Sequence, residues 1–331
     1  TYETSAVSDG GLSMDYGEAI AFFEAEGPYL LTTHVNADGD GIGATMALGG
    51  LLEQLDRPYR IILGDEHVDR KLSFLPQSHR IENIKLLTDR PLFDRAVYLD
   101  TPTVSQRRVG DVALLLNEEA KILVIDHHKA LEGEGNVRLV DAGASAASEL
   151  VFRLIQASKA EITPEIANQL YAGIAFDTKL FKYSHPVRGI KACAELVDFG
   201  ADPQRVSDEL FAHESYETVK TLGVGLSTLE LHFDGRVASL SVDYETYCLD
   251  GDLDVVVDHA MSIDGVEAAL FLKEEASGRH RVSLRSRGEL DVNAVAAVFG
   301  GGGHERASGC TIEGLLEEVK QKLLKEVERI L

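Results

Sequence analysis

The N-terminal half of the chain alternates short apolar runs with longer segments of helical periodicity. The short runs, which have strand length and many branched residues, lie at residues 29–33, 60–63, 93–99 and 121–125. Helical periodicity is found at residues 16–26, 42–55, 106–119, 144–156, 165–175 and 190–199. Strands that alternate with helices in this way favour an α/β fold, a mostly parallel sheet with flanking helices.

The pattern changes at about residue 229, where short strands become more frequent. The predicted strands of this half are residues 231–233, 237–242, 268–273, 281–285 and 308–312, and its helical segments are 253–261, 292–299 and 315–331. These elements are typical of a smaller α+β domain. We therefore predict a disordered leader (1–15), a first domain (16–205), a linker (206–226) and a second domain (227–331). The active-site cleft is expected between the two domains.

The composition fits a two-domain globular protein. At 331 residues, 44% of them hydrophobic, the chain is long enough for each domain to bury its own core. We expect neither a membrane span nor a signal peptide, because no apolar stretch has the required length. The cysteines Cys193, Cys248 and Cys310 lie far apart in the sequence, which fits a reducing compartment. The expected location is the cytoplasm.

The net charge of −23 restricts the kind of ligand. Proteins that grip long nucleic acids need a cationic surface to displace counterions, so this chain would repel a long duplex. A phosphate-bearing partner would have to be small, and local cations would have to override the overall field. Solubility or a salty habitat explains the acidity equally well, so charge alone leaves the ligand open.

Acidic and histidine side chains occupy the ends of the predicted strands and helices in the first half. They are His34, Asp38, Asp40, Asp100, Asp126, His127, His128 and Asp177. Open parallel sheets bind ligands just beyond the carboxyl ends of their strands, so we expect these side chains to converge. Gly39 and Gly41 are expected to let the backbone turn tightly between them. Oxygen-rich sets with some imidazole suit Mn²⁺, Mg²⁺ or Fe²⁺, and packed carboxylates favour two such ions roughly 3.5–4 Å apart.

A second set of candidate residues lies near the C-terminus and has the chemistry of a phosphate site. The glycine run at residues 300–303 can bring backbone amides close to an anion, because no Cβ intervenes. His304 follows the run, and Arg285 and Ser286 end a neighbouring strand with a guanidinium fork and a hydroxyl. A glycine run alone is more often a flexible turn, and an arginine is often in a surface ion pair. Arg108 is a further candidate cation. The candidate substrate-binding residues are Arg285, Ser286, Gly301, Gly302, Gly303 and His304.

Taken together, these motifs resemble those of the DHH phosphoesterase superfamily. The matching residues are His34-x3-Asp38-x-Asp40, Asp100, Asp126-His127-His128 and Asp177-Thr178, in the order of its four signature motifs. The C-terminal half resembles the DHHA1 substrate domain through Arg285-Ser286 and Gly300-Gly301-Gly302-Gly303-His304-x-x-Ala307-x-Gly309. The chain is most similar to the stand-alone nanoRNase/pAp-phosphatase subgroup, which includes phosphodiesterases that act on linear products of cyclic dinucleotides.

The resemblance implies a role for each matching residue. Six would be metal ligands: His34 and Asp38 for one ion, Asp40 and His127 for the other, with Asp100 bridging both and Asp177 completing the cluster. The ions implied are divalent, with Mn²⁺ as the first choice and Mg²⁺ or Fe²⁺ as alternatives. His128 would lie beside the scissile phosphate, and Asp126 would orient an imidazole. The chain departs from the family pattern at Lys179, where a glycine is usual, and at residues 129–131, where Ser-Asn is usual.

The reaction implied is two-metal hydrolysis of short oligoribonucleotides or linear dinucleotides such as pApA to mononucleotides. The first alternative is hydrolysis of 3′-phosphoadenosine 5′-phosphate (pAp) by the same site. The others are a pyrophosphatase or exopolyphosphatase and a nucleotide sensor without catalysis. An exonuclease of long DNA is disfavoured, because the chain has no basic channel. The expected partner is a small nucleotide or short single strand. The sequence leaves the oligomeric state open, and a homodimer is one option, since dimers are common among relatives.

Overall fold

A computed structural model describes residues 16–65, 68–128, 134–182, 187–247 and 254–331. The predicted leader, Cys248 and the departure from the family pattern at 129–131 lie outside the described residues. The chain divides into two compact units, Thr1–His213 and Glu214–Leu331. No helix of the described ranges has the length and apolarity needed to cross a membrane.

Within the described part of the first unit, six strands form a single parallel sheet. They are β1 (Tyr29–Thr32), β2 (Tyr59–Leu63), β3 (Ile81–Asn83), β4 (Phe93–Leu99), β5 (Leu116–Asp126) and β6 (Val137–Val140). The strand order is β3-β2-β1-β4-β5-β6, and every neighbouring pair is parallel. The order reverses between β1 and β4, and in such sheets the crevice at the reversal is the usual ligand site.

Helices cover the sheet of the first unit. They are α1 (Gly17–Phe22), α2 (Gly39–Gln54), α3 (Gln106–Val109), α4 (Ala147–Ser158), α5 (Pro164–Asp177), α6 (Val187–Asp198) and α7 (Pro203–Ser207). Adjacent residues of β1 face opposite cores: Leu31 packs in the core that includes α2, α4 and α5, and Leu30 packs in a second core on the other face. Both faces of the central strands are therefore buried, which explains why β1 and the carboxyl-terminal halves of β4 and β5 are mostly apolar.

The second unit is built on a mixed sheet with strand order β11-β12-β10-β9-β8-β7. Its strands are β7 (Glu230–His232), β8 (Val237–Val242), β9 (Ala268–Ala276), β10 (Arg279–Ser286), β11 (Gly302–His304) and β12 (Ala307–Glu313). Its helices are α8 (Tyr216–Ser227), α9 (Tyr244–Tyr247), α10 (Asp254–Ala260), α11 (Val292–Val298) and α12 (Leu316–Glu328). β8 and β9 are parallel and the other pairs antiparallel. The predicted α/β unit followed by an α+β unit is confirmed.

The prediction of one helix over residues 106–119 is wrong. Helix α3 ends at Val109, a 3-10 turn follows at Gly110–Leu115, and β5 begins at Leu116. Gly110 has a φ of +69°, a left-handed conformation that ends a helix. The short strands β3 and β6, at the two sides of the sheet, are additional to those predicted.

Candidate metal centre

The carboxyl ends of β1, β4 and β5 bring the predicted residues to one edge of the first sheet. β1 and β4 are neighbours, with Thr32 opposite Tyr98, and β4 pairs with β5 on its other side. His34 follows β1, Asp100 follows β4, and the Asp-His-His motif ends β5. Because all three strands are parallel, these side chains meet at the point where the strand order reverses.

Asp100 lies at the centre of the cluster. Its Oδ2 atom is 3.4 Å from Nε2 of His34, while its Oδ1 atom is 3.4 Å from Nε2 of His127 and 3.5 Å from Nδ1 of His128. The side chain is almost fully buried, and the backbone has a φ of +53°. A left-handed backbone is strained for a residue with a Cβ, so the surrounding structure must stabilise Asp100 in this conformation. Each carboxylate oxygen faces a different imidazole.

The remaining predicted acidic residues surround these imidazoles. Oδ1 of Asp38 is 3.9 Å from Nε2 of His34. Nε2 of His127 lies 3.9 Å from Oδ2 of Asp40 and 3.8 Å from Oδ2 of Asp177. Asp38 and Asp40 belong to the start of α2, and Asp177 is the last residue of α5. The structure therefore gathers residues from three strand ends and two helices.

Hydrogen bonds orient two of the imidazoles. Nδ1 of His34 lies 2.9 Å from the carbonyl oxygen of Val35, which suits a protonated Nδ1 and directs Nε2 at the carboxylates. Nδ1 of His128 lies 2.8 Å from Oδ1 of Asp126, a fully buried carboxylate. Asp126 thus contacts His128 directly.

The loop that carries His34 and Asp38 is held by a residue that the sequence reasoning missed. The carboxylate of Asp65 accepts hydrogen bonds from the amides of Asn36, at 2.6 Å, and Ala37, at 2.8 Å. Asp65 follows the end of β2, so it has the same strand-end position as the predicted acidic residues. Its position just after a predicted strand is the sequence feature from which Asp65 could have been identified.

Asp40 has a second function in the structure. Its carboxylate is fully buried and accepts the amides of Ala147 at 2.6 Å and Ser148 at 2.9 Å. These amides belong to the first turn of α4, where free N–H groups and the helix dipole favour an anion. The carboxylate of Glu149, in the same turn, accepts hydrogen bonds from the amide and hydroxyl of Ser145. It also forms an ion pair with Arg188, with 2.9 Å between Oε1 and Nε. This network fixes Asp40 against α4.

Three carboxylates of the cluster, those of Asp38, Asp40 and Asp177, have raised pKa values. Burial, followed by repulsion from neighbouring carboxylates, raises the pKa of Asp40 well above its ordinary value. Burial also raises the pKa of Asp38, and it raises the pKa of Asp177 to about 6 against the attraction of His127. Negative charge is therefore crowded at this site, because buried carboxylates that lie close together repel one another.

The imidazoles shift in the sense that compensates this charge. Burial lowers the pKa of His34, but Asp100 and Asp38 outweigh it and raise the pKa to about 9. Burial likewise opposes Asp100, Asp40 and Asp177 at His127, whose pKa rises to about 10. Burial raises the pKa of Asp100, yet the nearby imidazoles bring it below its ordinary range. Protons on these histidines supply the positive charge that the carboxylates need.

The donor set fits divalent cations. Oδ1 of Asp100 and Nε2 of His127 are buried and have no hydrogen-bond partner among the described residues. The ligand atoms form two groups, and within each group all atoms lie within 4.8 Å of one another. The first group is His34, Asp38 and Asp100, and the second is Asp100, His127 and His128. Asp100 is common to both groups. Unsatisfied buried acceptors are costly, and a cation shared through Asp100 would satisfy them.

The predicted role of the motif glycines is wrong. Gly39 and Gly41 belong to the first turn of α2 and neither has a positive φ, so they do not provide a tight loop turn. A Cβ on Gly39 would lie 2.5 Å from the ring of Phe176, and one on Gly41 would overlap the Thr33 hydroxyl. The glycines are needed because α2 packs closely against its neighbours.

Two family models cover most of the chain. Residues 29–174 match the model of the DHH family, N-terminal domain, and residues 235–331 match the DHHA1 domain. A curated relative from Thermus thermophilus, named bifunctional oligoribonuclease and PAP phosphatase NrnA, is 30% identical over 91% of this chain and 90% of its own. The chain belongs to the DHH family of phosphoesterases.

Further DHH relatives agree with this assignment. The Bacillus subtilis protein of the same name is 28% identical over 86% of this chain and 88% of its own. A solved structure from Bacteroides fragilis, described as an exopolyphosphatase-related protein, is 27% identical and has a TM-score of 0.86. The alignment covers 95% of this chain and 97% of that one.

The fourth DHH motif of this chain ends in an unusual backbone. Lys179, Leu180 and Phe181 all have positive φ values, between +49° and +64°. The sequence resemblance placed a glycine at position 179 in relatives, and glycine adopts this conformation without strain. Here the Lys179 ammonium lies 4.3 Å from the centre of the Phe176 ring, a cation–π contact that offsets part of the strain.

In the DHHA1 unit, the predicted phosphate-binding side chains already have partners. Nε of Arg285 is 3.7 Å from Oδ1 of Asp258, so its charge is partly neutralised. The hydroxyl of Ser286 donates to the Leu290 carbonyl oxygen at 2.6 Å. The hydroxyl hydrogen is therefore already used in this hydrogen bond. Ser286 consequently supports the turn rather than offering a free donor.

The glycine run of the DHHA1 unit enters strand β11. The amide of Gly301 donates to the Ala296 carbonyl oxygen at 2.9 Å, at the end of α11, so it is not available to an anion. A Cβ on Gly301 would overlap the Gly309 carbonyl oxygen, and Gly303 has a φ of +148°. Gly302 and His304 are exposed strand residues. Close packing against β12 accounts for glycine at positions 301 and 303.

Proposed function

We propose that the protein is a metal-dependent phosphodiesterase that hydrolyses linear dinucleotides and short oligoribonucleotides to mononucleotides. The observation that carries the proposal is Asp100, whose two oxygens face two separate imidazole groups in a buried, acidic site. The names of the curated relatives support a nucleotide substrate of this size. The net charge of −23 argues in the same direction, against long nucleic acids.

The cluster would hold two divalent ions, with Mn²⁺ the first choice. His34 and Asp38 would bind one ion, Asp40 and His127 the other, with Asp100 between them and Asp177 beside the second. When bound, such ions neutralise the carboxylates, activate water and stabilise the charge that develops on the phosphate. The residues themselves fix the ligand geometry through the strand ends and α4.

His128 would act next to the scissile phosphate. Asp126 lies 2.8 Å from its Nδ1 and orients the ring, and the imidazole would contact a phosphate oxygen. In the DHHA1 unit, Arg285, Gly302 and His304 would bind the terminal nucleotide. A homodimer and a cytoplasmic location remain parts of this proposal. Cys193 and Cys310 are buried free thiols, which is compatible with a reducing compartment.

A substrate panel tests the proposal. The purified protein, freed of metal and then supplied with Mn²⁺ or Mg²⁺, is assayed on pApA, longer oligoribonucleotides, pAp and pyrophosphate. We expect metal-dependent release of mononucleotides from pApA, with slower cleavage of longer strands. Absence of turnover on all nucleotides, or strong preference for pyrophosphate, would contradict the proposal.

Hydrolysis of pAp by the same site is the second candidate. The curated relatives are named as having both activities, which favours it over a pyrophosphatase. The two reactions differ in whether the bond cleaved is a monoester or a diester, and the ratio of kcat/KM on pAp and pApA measures the preference. Tight binding of both compounds without turnover would instead indicate a nucleotide sensor.

A further inference from the structure

Two adjacent arginines near the candidate metal centre have no carboxylate partner among the described residues, in a chain where carboxylates are abundant. The sequence has 55 acidic and 32 basic residues, and arginines such as Arg60, Arg153 and Arg236 each have a carboxylate within hydrogen-bond distance. Arg107 and Arg108 are exposed, and among the described residues neither has a carboxylate within 4 Å. They therefore form a local cationic site in an acidic molecule.

Backbone contacts fix this pair next to the loop that carries His34 and Asp38. The Val35 amide donates to the Arg108 carbonyl oxygen at 2.7 Å, and Val109, the next residue, is fully buried. A Cβ on Gly64 would lie only 2.6 Å from the Val109 carbonyl oxygen, so the chain segments are closely packed here. Helix α3 is thus anchored by its last turn, while its arginines remain accessible.

We propose that Arg107 and Arg108 bind a second phosphate of the substrate, one that is not hydrolysed. The inference rests on the proposed function, because a linear dinucleotide with a 5′ phosphate carries a phosphate besides the scissile one. Guanidinium groups bind phosphate through paired, charge-assisted hydrogen bonds. Two such groups near the cluster also attract an anion that the overall charge of −23 would otherwise repel.

The neutralisation of Arg285 by Asp258 strengthens this assignment. An arginine that already pairs with a carboxylate must exchange that partner for phosphate, whereas Arg107 and Arg108 lose only water. A substrate with a second phosphate is therefore distinguished from a plain diester by α3. Compounds with one phosphate gain nothing from the pair.

The test compares a double variant with a matched control. Arg107→Gln with Arg108→Gln removes two charges from α3, and Arg90→Gln with Arg138→Gln removes two exposed charges elsewhere in the same unit. Both are assayed on linear diadenylate with a 5′ phosphate and on bis(p-nitrophenyl) phosphate, which has no second phosphate. Calorimetry gives the dissociation constant of diadenylate for each protein.

We expect the α3 variant to raise KM and the dissociation constant for diadenylate by about tenfold, with kcat little changed. Its rate on bis(p-nitrophenyl) phosphate and both rates of the control variant should stay near wild type. Equal diadenylate affinity in the two variants would overturn the inference. If the wild type hydrolyses neither compound, the proposed function fails, but the difference in diadenylate affinity still decides the role of the arginines.

Discussion

At the scale of single residues, the account depends on Asp100. Its left-handed backbone and its position between two imidazoles can be separated by substitution, because a φ of +53° is strained for alanine but not for glycine. We predict that Asp100→Ala and Asp100→Gly both abolish hydrolysis. Asp100→Gly should be the more stable of the two by about 1 kcal/mol.

Asp56 provides the matched control for this pair of variants. It is an exposed aspartate with a φ of +55°, outside the cluster. Asp56→Ala and Asp56→Gly should differ in stability in the same sense while leaving activity intact. The measurements are initial rates with Mn²⁺ and thermal melting of each protein. Near wild-type turnover in either Asp100 variant would disprove its bridging role.

The histidines of the cluster give a prediction about protons. In the metal-free protein, His34 and His127 have pKa values of about 9 and about 10, so both carry a proton at pH 7. A metal binds neutral imidazole, so the ion must displace these protons, and its affinity should fall as the pH falls. Calorimetric titration of Mn²⁺ in buffers of different ionisation enthalpy should reveal net proton release at pH 7. No proton release would mean that the ion binds elsewhere.

Residue roles were predictable where aspartate and histidine recur at the ends of predicted strands. His34, Asp100 and the Asp-His-His motif follow parallel strands, and the topology alone brings them together. The hydrogen bonds of Ser286 and Asp65 depend on how loops fold back on neighbouring strands. Periodicity contains no information about such contacts.

At the scale of elements, α2 packs closely on α5, and this packing positions Asp40 and Asp177 in the cluster. A Cβ on Gly43, in α2, would overlap the backbone carbonyl oxygen of Gln169 in α5. We predict that Gly43→Ala destabilises the protein by about 1–3 kcal/mol, because neither backbone can move freely. Metal affinity should fall with it, since Asp40 and Asp177 lie on these two helices.

Gly223 offers a control for the Gly43 variant. It lies inside helix α8, where an added Cβ would meet nothing within 4 Å. Gly223→Ala should therefore stabilise the protein, by about 0.5–1 kcal/mol, through helix propensity alone. Calorimetric melting of both variants provides the comparison. Equal stability of Gly43→Ala and the wild type would contradict the packing argument.

Most elements were predictable, and the failures have physical reasons. Long buried strands such as β4 and amphipathic helices such as α6 carry strong periodicity. The helix predicted over residues 106–119 fails because Gly110 adopts a left-handed φ and the following residues extend β5. β3 and β6 are short and only partly buried, so their hydrophobic pattern is weak.

At the scale of the whole molecule, the net charge of −23 opposes the compact state through self-repulsion. Salt screens this repulsion, since the Debye length falls from about 10 Å at 0.1 M to about 3 Å at 1 M. We predict that the melting temperature of the metal-free protein rises between 0.1 M and 1 M KCl. A matched series in sucrose separates screening from exclusion effects. A melting temperature that is flat or falls with KCl would refute this view.

The change of pattern near residue 229 predicted two units, and the structure divides between His213 and Glu214. The charge argued against long nucleic acids as substrates, but it could not select among small phosphates. That choice depends on individual cations such as Arg107 and Arg108, and the three-dimensional structure is needed to tell that neither has a carboxylate partner among the described residues.

The central claim is that Asp100 lies between two divalent cations. Anomalous diffraction from crystals grown with Mn²⁺ tests it most directly. We predict two anomalous peaks, roughly 3.5–4 Å apart, with one oxygen of Asp100 in coordination distance of each. A single peak, or peaks that do not share Asp100, would contradict the account.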